Sequence, residues 1–198
     1  MIRRLPILPT IIVAVAVLTM IGLGIWQLRR AEWKESLLAR YEAAQSLPPT
    51  AFPTAPIGGE IPLFRRASGL CLEPITVRAT AGRNRKGEPG YSHIVDCRTG
   101  AEGPGMSVDI GWSANPNAGK GWNGGPVSGV IAPDKRMRMR LVSDRGFAGL
   151  EPSAAPSTES IPNNHRAYAV QWFLFAAIAL VIYGLALRSR LAAKPKDA

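Results

Sequence analysis

Residues 167–187 read AYAVQWFLFAAIALVIYGLAL, a run of 21 residues without a charged side chain. A second uncharged run of 24 residues covers 5–28 and is most apolar between 11 and 25. About 20 apolar residues in a helix cross the hydrocarbon core of a bilayer, because each residue adds about 1.5 Å. The sequence therefore predicts transmembrane helices at 7–28 and 167–187.

Each run has one alternative interpretation. The first could be a cleaved signal peptide with Arg3 and Arg4 as its basic segment. Its apolar part is long for a signal peptide, however, and residues 22–24 offer only a weak cleavage site before Trp26. The second could be a buried core helix, but its length and the basic tail at 188–198 argue against this. The sequence favours two uncleaved membrane anchors.

The net charge of +10 is concentrated beside these two runs. The flanks contribute +7, whereas residues 31–166 contain 16 basic and 13 acidic side chains, a balance of +3. A nucleic-acid-binding domain should carry a basic stripe interleaved with aromatic residues in its folded part. We therefore expect no nucleic-acid partner. The flanking charges are Arg3, Arg4, Arg29, Arg30, Arg188, Arg190, Lys194, Lys196 and Asp197.

The same charges predict the orientation in the membrane. The tail at 188–198 has four basic residues, whereas Arg166 stands alone just before the second span. Basic residues accumulate on the cytoplasmic side, so the tail is predicted to be cytoplasmic. Two spans place both termini on the same side, and residues 29–166 then form an extracytoplasmic domain. We expect a bacterial inner membrane with this domain in the periplasm.

The outer segment is predicted to be mainly β. Residues 31–46 have helical spacing and continue the first span, and the proline-rich residues 47–62 are expected to be an extended linker rather than packed structure. Turn compositions separate the first three strand-like runs, which favours successive antiparallel strands. The predicted fold is a membrane-anchored α+β protein in which two transmembrane helices flank a mostly antiparallel β domain. The strand-like runs are 74–80, 91–97, 106–112, 127–132 and 137–142.

Cys71 and Cys97 are the only cysteines. In an oxidising compartment an even number of cysteines favours a disulfide, and closing a loop of this length contributes roughly 3 kcal/mol. Two free thiols remain an alternative, as does a metal or redox site. The metal site is the weaker option because no C-x-x-C is present, although His93 lies four residues before Cys97.

Motifs of catalytic chemistry are missing from the sequence, which has no G-x-S-x-G, H-E-x-x-H, P-loop or G-x-G-x-x-G. Spacing pairs neither Asp96 nor Asp109 with a second carboxylate. We therefore predict that the protein is not an enzyme.

The start of the second span carries the most distinctive cluster. Asn163 or Asn164 suits the N-cap of the helix, on which His165, Tyr168 (or Ala169) and Trp172 share a face. An imidazole there can donate hydrogen bonds, titrate or ligate haem iron. It can also simply satisfy the helix N-terminus or a lipid headgroup, and spacing alone favours this simpler role.

Gln27 and Gln171 lie at matching depths on two helices that must run antiparallel. A hydrogen bond between them and separate contacts with interfacial water are equally compatible with the sequence.

Two signatures resemble those of the Surfeit locus protein 1 family. GIWQLRR…K at the end of the first span is similar to the family's G-x-W-Q-x-x-R…K, and NNH…YA…QWF at the start of the second is similar to its N-N-H-x-x-Y-A-x-x-W-F. Their order and their places on the two terminal spans match the family over the whole chain. The signature residues are Gly24, Trp26, Gln27, Arg30, Lys34, Asn163, Asn164, His165, Tyr168, Trp172 and Phe173.

The resemblance implies an assembly factor for a haem-copper terminal (cytochrome c) oxidase that binds or hands over haem a for insertion into the catalytic subunit. It also implies that His165 is the ligand of the haem iron, with Tyr168 and Trp172 beside it. The implied partners are the catalytic subunit, haem A synthase and the lipid bilayer. A scaffold that holds an oxidase subunit without binding haem is the alternative. A sensor is disfavoured, because the predicted cytoplasmic segments are too short for an effector domain.

Overall fold

The computed structural model describes residues 6–54, 60–101 and 104–192. These residues form two long helices, seven strands and one 3-10 turn at Thr158–Ser160. The chain divides into two compact units, one made of Met1–Leu37 with Pro162–Ala198 and the other of Leu38–Ile161. The first unit contains most of the two helices and the second contains the sheet, which confirms the predicted α+β architecture.

The helices are α1, Ile7–Gln45, and α2, His165–Ala192. Both are long and apolar enough to cross a membrane, and they contain the predicted spans 7–28 and 167–187. Their large apolar side chains are mostly exposed, as expected of helices that face lipid. α1 continues without a break to Gln45, which confirms the prediction that residues 31–46 form a helical extension of the first span.

Each helix turns a narrow stripe of mostly small residues towards the other. Val17, Gly24 and Ala31 are buried on α1 at intervals of seven residues, and Ala169 and Ala176 are buried on α2 at the same interval. A seven-residue interval keeps a stripe on one helix face, and small residues are typical of helix contacts within membranes. The sequence therefore forms an antiparallel helix pair in which these stripes are the buried faces.

The sheet has the order β1-β2-β6-β7-β5-β4-β3. Its pairs are antiparallel except β1 with β2 and β5 with β7, which are parallel. The five predicted strand-like runs correspond to β3 to β7, and β3, β4 and β5 are successive antiparallel neighbours as predicted. The strands are β1 Thr50–Ala51, β2 Arg66–Cys71, β3 Glu73–Arg83, β4 Pro89–Arg98, β5 Pro104–Ser113, β6 Gly125–Asp134 and β7 Arg138–Ser143.

Two features of the sheet differ from the sequence prediction. The described part of 47–62 is not an unpacked linker: Phe52 is only 5% exposed in the core, and its N–H donates to Ser68 O at 2.7 Å. β2 was not predicted, because its inward residues are small. A Cβ on Gly69 would lie 2.6 Å from Met106 Sδ, so this strand leaves room for a large side chain opposite.

The sheet curls around a single core. Leu72 alone separates β2 from β3, which lie near opposite ends of the strand order, and its N–H donates to Arg98 O on β4 at 2.9 Å. Cys71 and Cys97 form a disulfide between β2 and β4, with a Cα–Cα distance of 5.2 Å. The expected pairing is therefore present, and the metal and free-thiol alternatives do not apply. The buried core comprises Phe52, Ala67, Cys71, Val95, Cys97, Met106, Val108, Ile110, Val127, Ile131 and Leu141.

Candidate functional site at the start of α2

The first turn of α2 is fixed by the asparagines that precede it. Asn164 O accepts a hydrogen bond from Tyr168 N at 3.2 Å, which makes Asn164 the N-cap by position. The side-chain oxygen of Asn163 is buried and has no hydrogen-bond partner among the described residues. His165 is the first residue of the helix, and its side chain is half-buried.

Among the described residues, the imidazole of His165 makes one hydrogen bond to α1. His165 Nδ1 lies 2.7 Å from Gln27 Oε1. An amide oxygen only accepts, so Nδ1 carries the proton and donates; in the neutral ring, Nε2 then holds a lone pair. Within the described part of the chain, His165 Nε2 has no hydrogen-bond partner. One ring nitrogen is therefore anchored and the other is free to accept or to ligate.

Gln27 reaches His165 because it lies on the inward stripe of α1. It follows Gly24 by three residues and precedes Ala31 by four, and these intervals share one helix face. Gln171 is exposed, and in the part of the chain that the structure covers nothing links it to Gln27. The hydrogen bond considered between the two glutamines is thus wrong: α2 presents its first residue to Gln27, not Gln171.

Charged and polar contacts fix the same end of the helix pair. Arg166 donates from Nε and Nη2 to the two carboxylate oxygens of Glu35, both at 2.8 Å. Lys34 Nζ donates to Pro162 O, just before α2. None of these partners was predicted, because their pairing depends on the register of two helices that are far apart in sequence.

The aromatic residues of the cluster lie on different sides of α2. Trp172 is half-buried and packs edge-on against Phe175, with 6.1 Å between ring centroids. Tyr168 is 51% exposed, whereas Ala169 is fully buried. Of the two residues considered for the shared face, Ala169 therefore accompanies His165 and Trp172 on the inward stripe, and Tyr168 lies on the exposed flank.

Two buried carboxylates of the sheet unit accept hydrogen bonds from hydroxyl groups. Asp96 accepts from Ser107 at 2.5 Å and from Thr76 at 2.8 Å. Asp109, 1% exposed, accepts from Ser153 at 2.7 Å, and burial raises the pKa of its carboxyl group. The two carboxylates bind hydroxyl groups rather than each other, so this arrangement resembles structural polar pairing more than an acid–base site.

A family model for the SURF1 family matches residues 14–177, which include most of α1, all seven strands and the first part of α2. The chain belongs to the SURF1 family. This confirms the resemblance to the Surfeit locus protein 1 family. No individual curated protein matches the chain. The SURF1 family is known for cytochrome oxidase assembly, and it is a family of assembly factors rather than of catalysts.

The two SURF1-family signatures contact each other across the helix pair. A Cβ on Gly24 of the first signature would lie 2.6 Å from the ring of Phe173 in the second, and Gln27 binds His165. Trp26 is exposed, and Arg30 places its guanidinium 4.1 Å from the centroid of the Trp33 ring. The inward signature residues thus hold the helix pair together, and the outward ones face its surroundings.

The donor set at this end of the SURF1-family helix pair suits haem better than a free metal ion. The described residues contain no cluster of three or more His, Cys, Asp or Glu side chains that could hold an ion. Porphyrin already gives iron four nitrogen ligands, so one neutral imidazole with a free nitrogen is enough. His165 Nε2 meets that requirement, and the half-buried Trp172 and exposed Tyr168 offer flat apolar surfaces along the same helix.

Proposed function

We propose that this chain binds haem a through His165 and holds it for insertion into the catalytic subunit of a haem-copper oxidase. The observation that carries the proposal is the imidazole of His165, anchored at Nδ1 by Gln27 with no partner at Nε2 among the described residues. Bound haem a would supply an iron that accepts one axial nitrogen ligand. The chain itself supplies that nitrogen and the apolar surface beside it.

The position of His165 suits a lipid-like cofactor. It precedes the predicted span 167–187 by two residues, so it would lie at the outer edge of the bilayer. Haem a carries a long isoprenoid tail, and large apolar side chains such as Val170 and Leu174 are exposed on α2 below this level. A single ligand also suits a protein that must release its cargo, because one axial bond is easier to exchange than two. Haem A synthase is the proposed source of the haem.

The proposed topology places both termini in the cytoplasm and residues 29–166 in the bacterial periplasm. The basic tail at 188–198 supports this orientation. The Cys71–Cys97 disulfide supports an oxidising compartment for the sheet unit, because reducing compartments keep such thiols free. Protease probes that do not cross the membrane test it: the sheet unit should be reached from the periplasmic side and the tail only after permeabilisation.

Haem binding is tested on the full chain produced together with a haem A source. The purified wild type should show a haem Soret band, and His165→Ala should lose most of it. Gln171→Ala is the matched control, because Gln171 is an exposed polar residue on the same helix. A Soret band of unchanged height in His165→Ala would rule out His165 as the ligand.

A scaffold without haem is the second candidate function. It is favoured by the contacts between the two signatures, since Gly24 with Phe173 and Gln27 with His165 also explain these residues as helix-packing groups. Co-purification of an oxidase subunit with this chain from cells that make no haem a would support the scaffold. Co-purification that requires haem a and His165 would support the haem carrier.

A further inference from the structure

We propose that Gln27 is the positioning residue for the haem ligand: its side-chain oxygen fixes the protonated nitrogen of His165, so that Nε2 is the atom presented to iron. This inference rests on the proposed haem function. It concerns α1, which carries no ligand itself, and it assigns the first signature a role in the chemistry of the second.

The hydrogen bond determines which nitrogen can bind. The 2.7 Å distance between His165 Nδ1 and Gln27 Oε1 requires a proton on Nδ1, because the amide oxygen cannot donate. A neutral imidazole with its proton on Nδ1 has its lone pair on Nε2. Histidine ligands of metals generally donate their other ring N–H to an oxygen, which sets both the tautomer and the orientation of the ring.

Gln27 is itself held in place by the packing around it. Gly24 and Ala31 are buried on the same stripe of α1, and Ala169 is buried one turn after His165 on α2. The small residues leave the longer glutamine as the side chain that spans the two helices at this level. Lys34 with Pro162 and Arg166 with Glu35 tie the helix ends beyond it. The acceptor oxygen is therefore preorganised before any ligand arrives.

The first test reads the tautomer without haem. The chain has only two histidines, so ¹⁵N-histidine labelling of the full chain in detergent gives the Nδ1 and Nε2 signals of two imidazole rings, and His165→Ala assigns them. The wild type should show His165 with its proton on Nδ1. Gln27→Leu should lose this fixed tautomer, whereas Gln171→Leu should keep it. A His165 tautomer that is the same in Gln27→Leu as in the wild type overturns the inference.

The second test titrates the same proteins with haem a. Loss of such an outer hydrogen bond typically weakens metal binding by about 10–100-fold, and we expect that loss for Gln27→Leu and none for Gln171→Leu. Gln27→Glu retains an acceptor, so it should preserve affinity. Its carboxylate should make the imidazole a stronger donor and lower the midpoint potential of the bound haem.

The outcomes separate this inference from the function on which it rests. If His165→Ala abolishes binding while Gln27→Leu binds haem a like the wild type, the positioning role is wrong and the haem function stands. If His165→Ala binds haem a like the wild type, both are wrong. An intact Cys71–Cys97 disulfide and unchanged helix content by circular dichroism verify the fold of each variant, and recovery of affinity in Gln27→Glu excludes a general packing defect as the cause.

Discussion

Gly24 is the position at which one methyl group should disturb the helix pair. A Cβ added there would lie 2.6, 2.7 and 3.0 Å from Cε1, Cζ and Cδ1 of Phe173. Carbon atoms in contact prefer about 3.5–4.0 Å, so the overlap is about 1 Å and the ring must move. Gly22, half a turn earlier on α1, provides the matched control, because a Cβ there meets nothing within 4 Å.

The expected magnitude follows from two opposing effects. Replacing glycine by alanine inside a helix raises the free energy of unfolding by up to about 1 kcal/mol, and this gain applies at both positions. Overpacking at Gly24 costs about 1–3 kcal/mol, and this cost is missing at Gly22. Gly22→Ala should therefore be neutral or stabilising, and Gly24→Ala should be less stable than Gly22→Ala by about 1–3 kcal/mol.

The assay is reversible unfolding of the detergent-solubilised full chain, and the association of the two helices is the signal that is monitored. In a Phe173→Ala background, Gly24→Ala should cause little or no loss of stability, because the ring that the new methyl group meets is absent. The double-mutant cycle should give a favourable coupling between the two substitutions. Equal stability of Gly22→Ala and Gly24→Ala, or a strictly additive double variant, would refute the steric argument.

Three further variants test other parts of the molecule. Replacing Cys71 and Cys97 together by serine should lower the free energy of unfolding of the sheet unit by about 3–4 kcal/mol, as measured in urea and matched by reducing the wild type; a smaller loss than 1 kcal/mol would contradict this. Burial lowers the pKa of His93 below its ordinary 6.5, so the unfolded chain takes up the proton first. Stability should thus be full above pH 6.5 and fall as the pH drops through the lowered pKa, with a flatter profile in His93→Gln; parallel profiles would be the contrary result. The Glu35–Arg166 pair is exposed, so Arg166→Ala should change the free energy of unfolding by less than about 1 kcal/mol, and a larger loss would show that the pair is more than a surface contact.

The helices and strands that could be predicted are those in which each face of the element is surrounded by a single kind of environment. The spans were found because lipid tolerates no charge over about 20 residues. The strands β3 to β7 were found from apolar alternation and the turns between them. β2 was missed because its inward residues Ala67 and Gly69 are small; Met106 on β5 fills the space over Gly69, and this exchange is visible only when the folded sheet brings the two strands together across the core.

The residues of the candidate site could be grouped from the sequence, but their geometry could not. The helix start and the cluster from Asn163 to Trp172 followed from capping and helical spacing. The partner of His165 did not, because it depends on the register between α1 and α2, and any of several polar residues near the end of the first span could have been its partner. Phe52 shows the same limit in the sheet unit: proline-rich sequence around it indicates a linker, yet its ring fills the core.

The place of the disulfide has a consequence for the order in which the sheet unit matures. Both cysteines precede Pro104, where β5 begins, so the bond requires no residue of the last three of the seven strands and can form before these strands have paired. β3 and β4 pair from Glu73 with Arg98 to Arg83 with Pro89, and the bond joins the open end of this hairpin to β2. The early product is then a covalently closed loop in which one edge of β4 is still unpaired. β5 pairs with this edge when it folds onto the sheet.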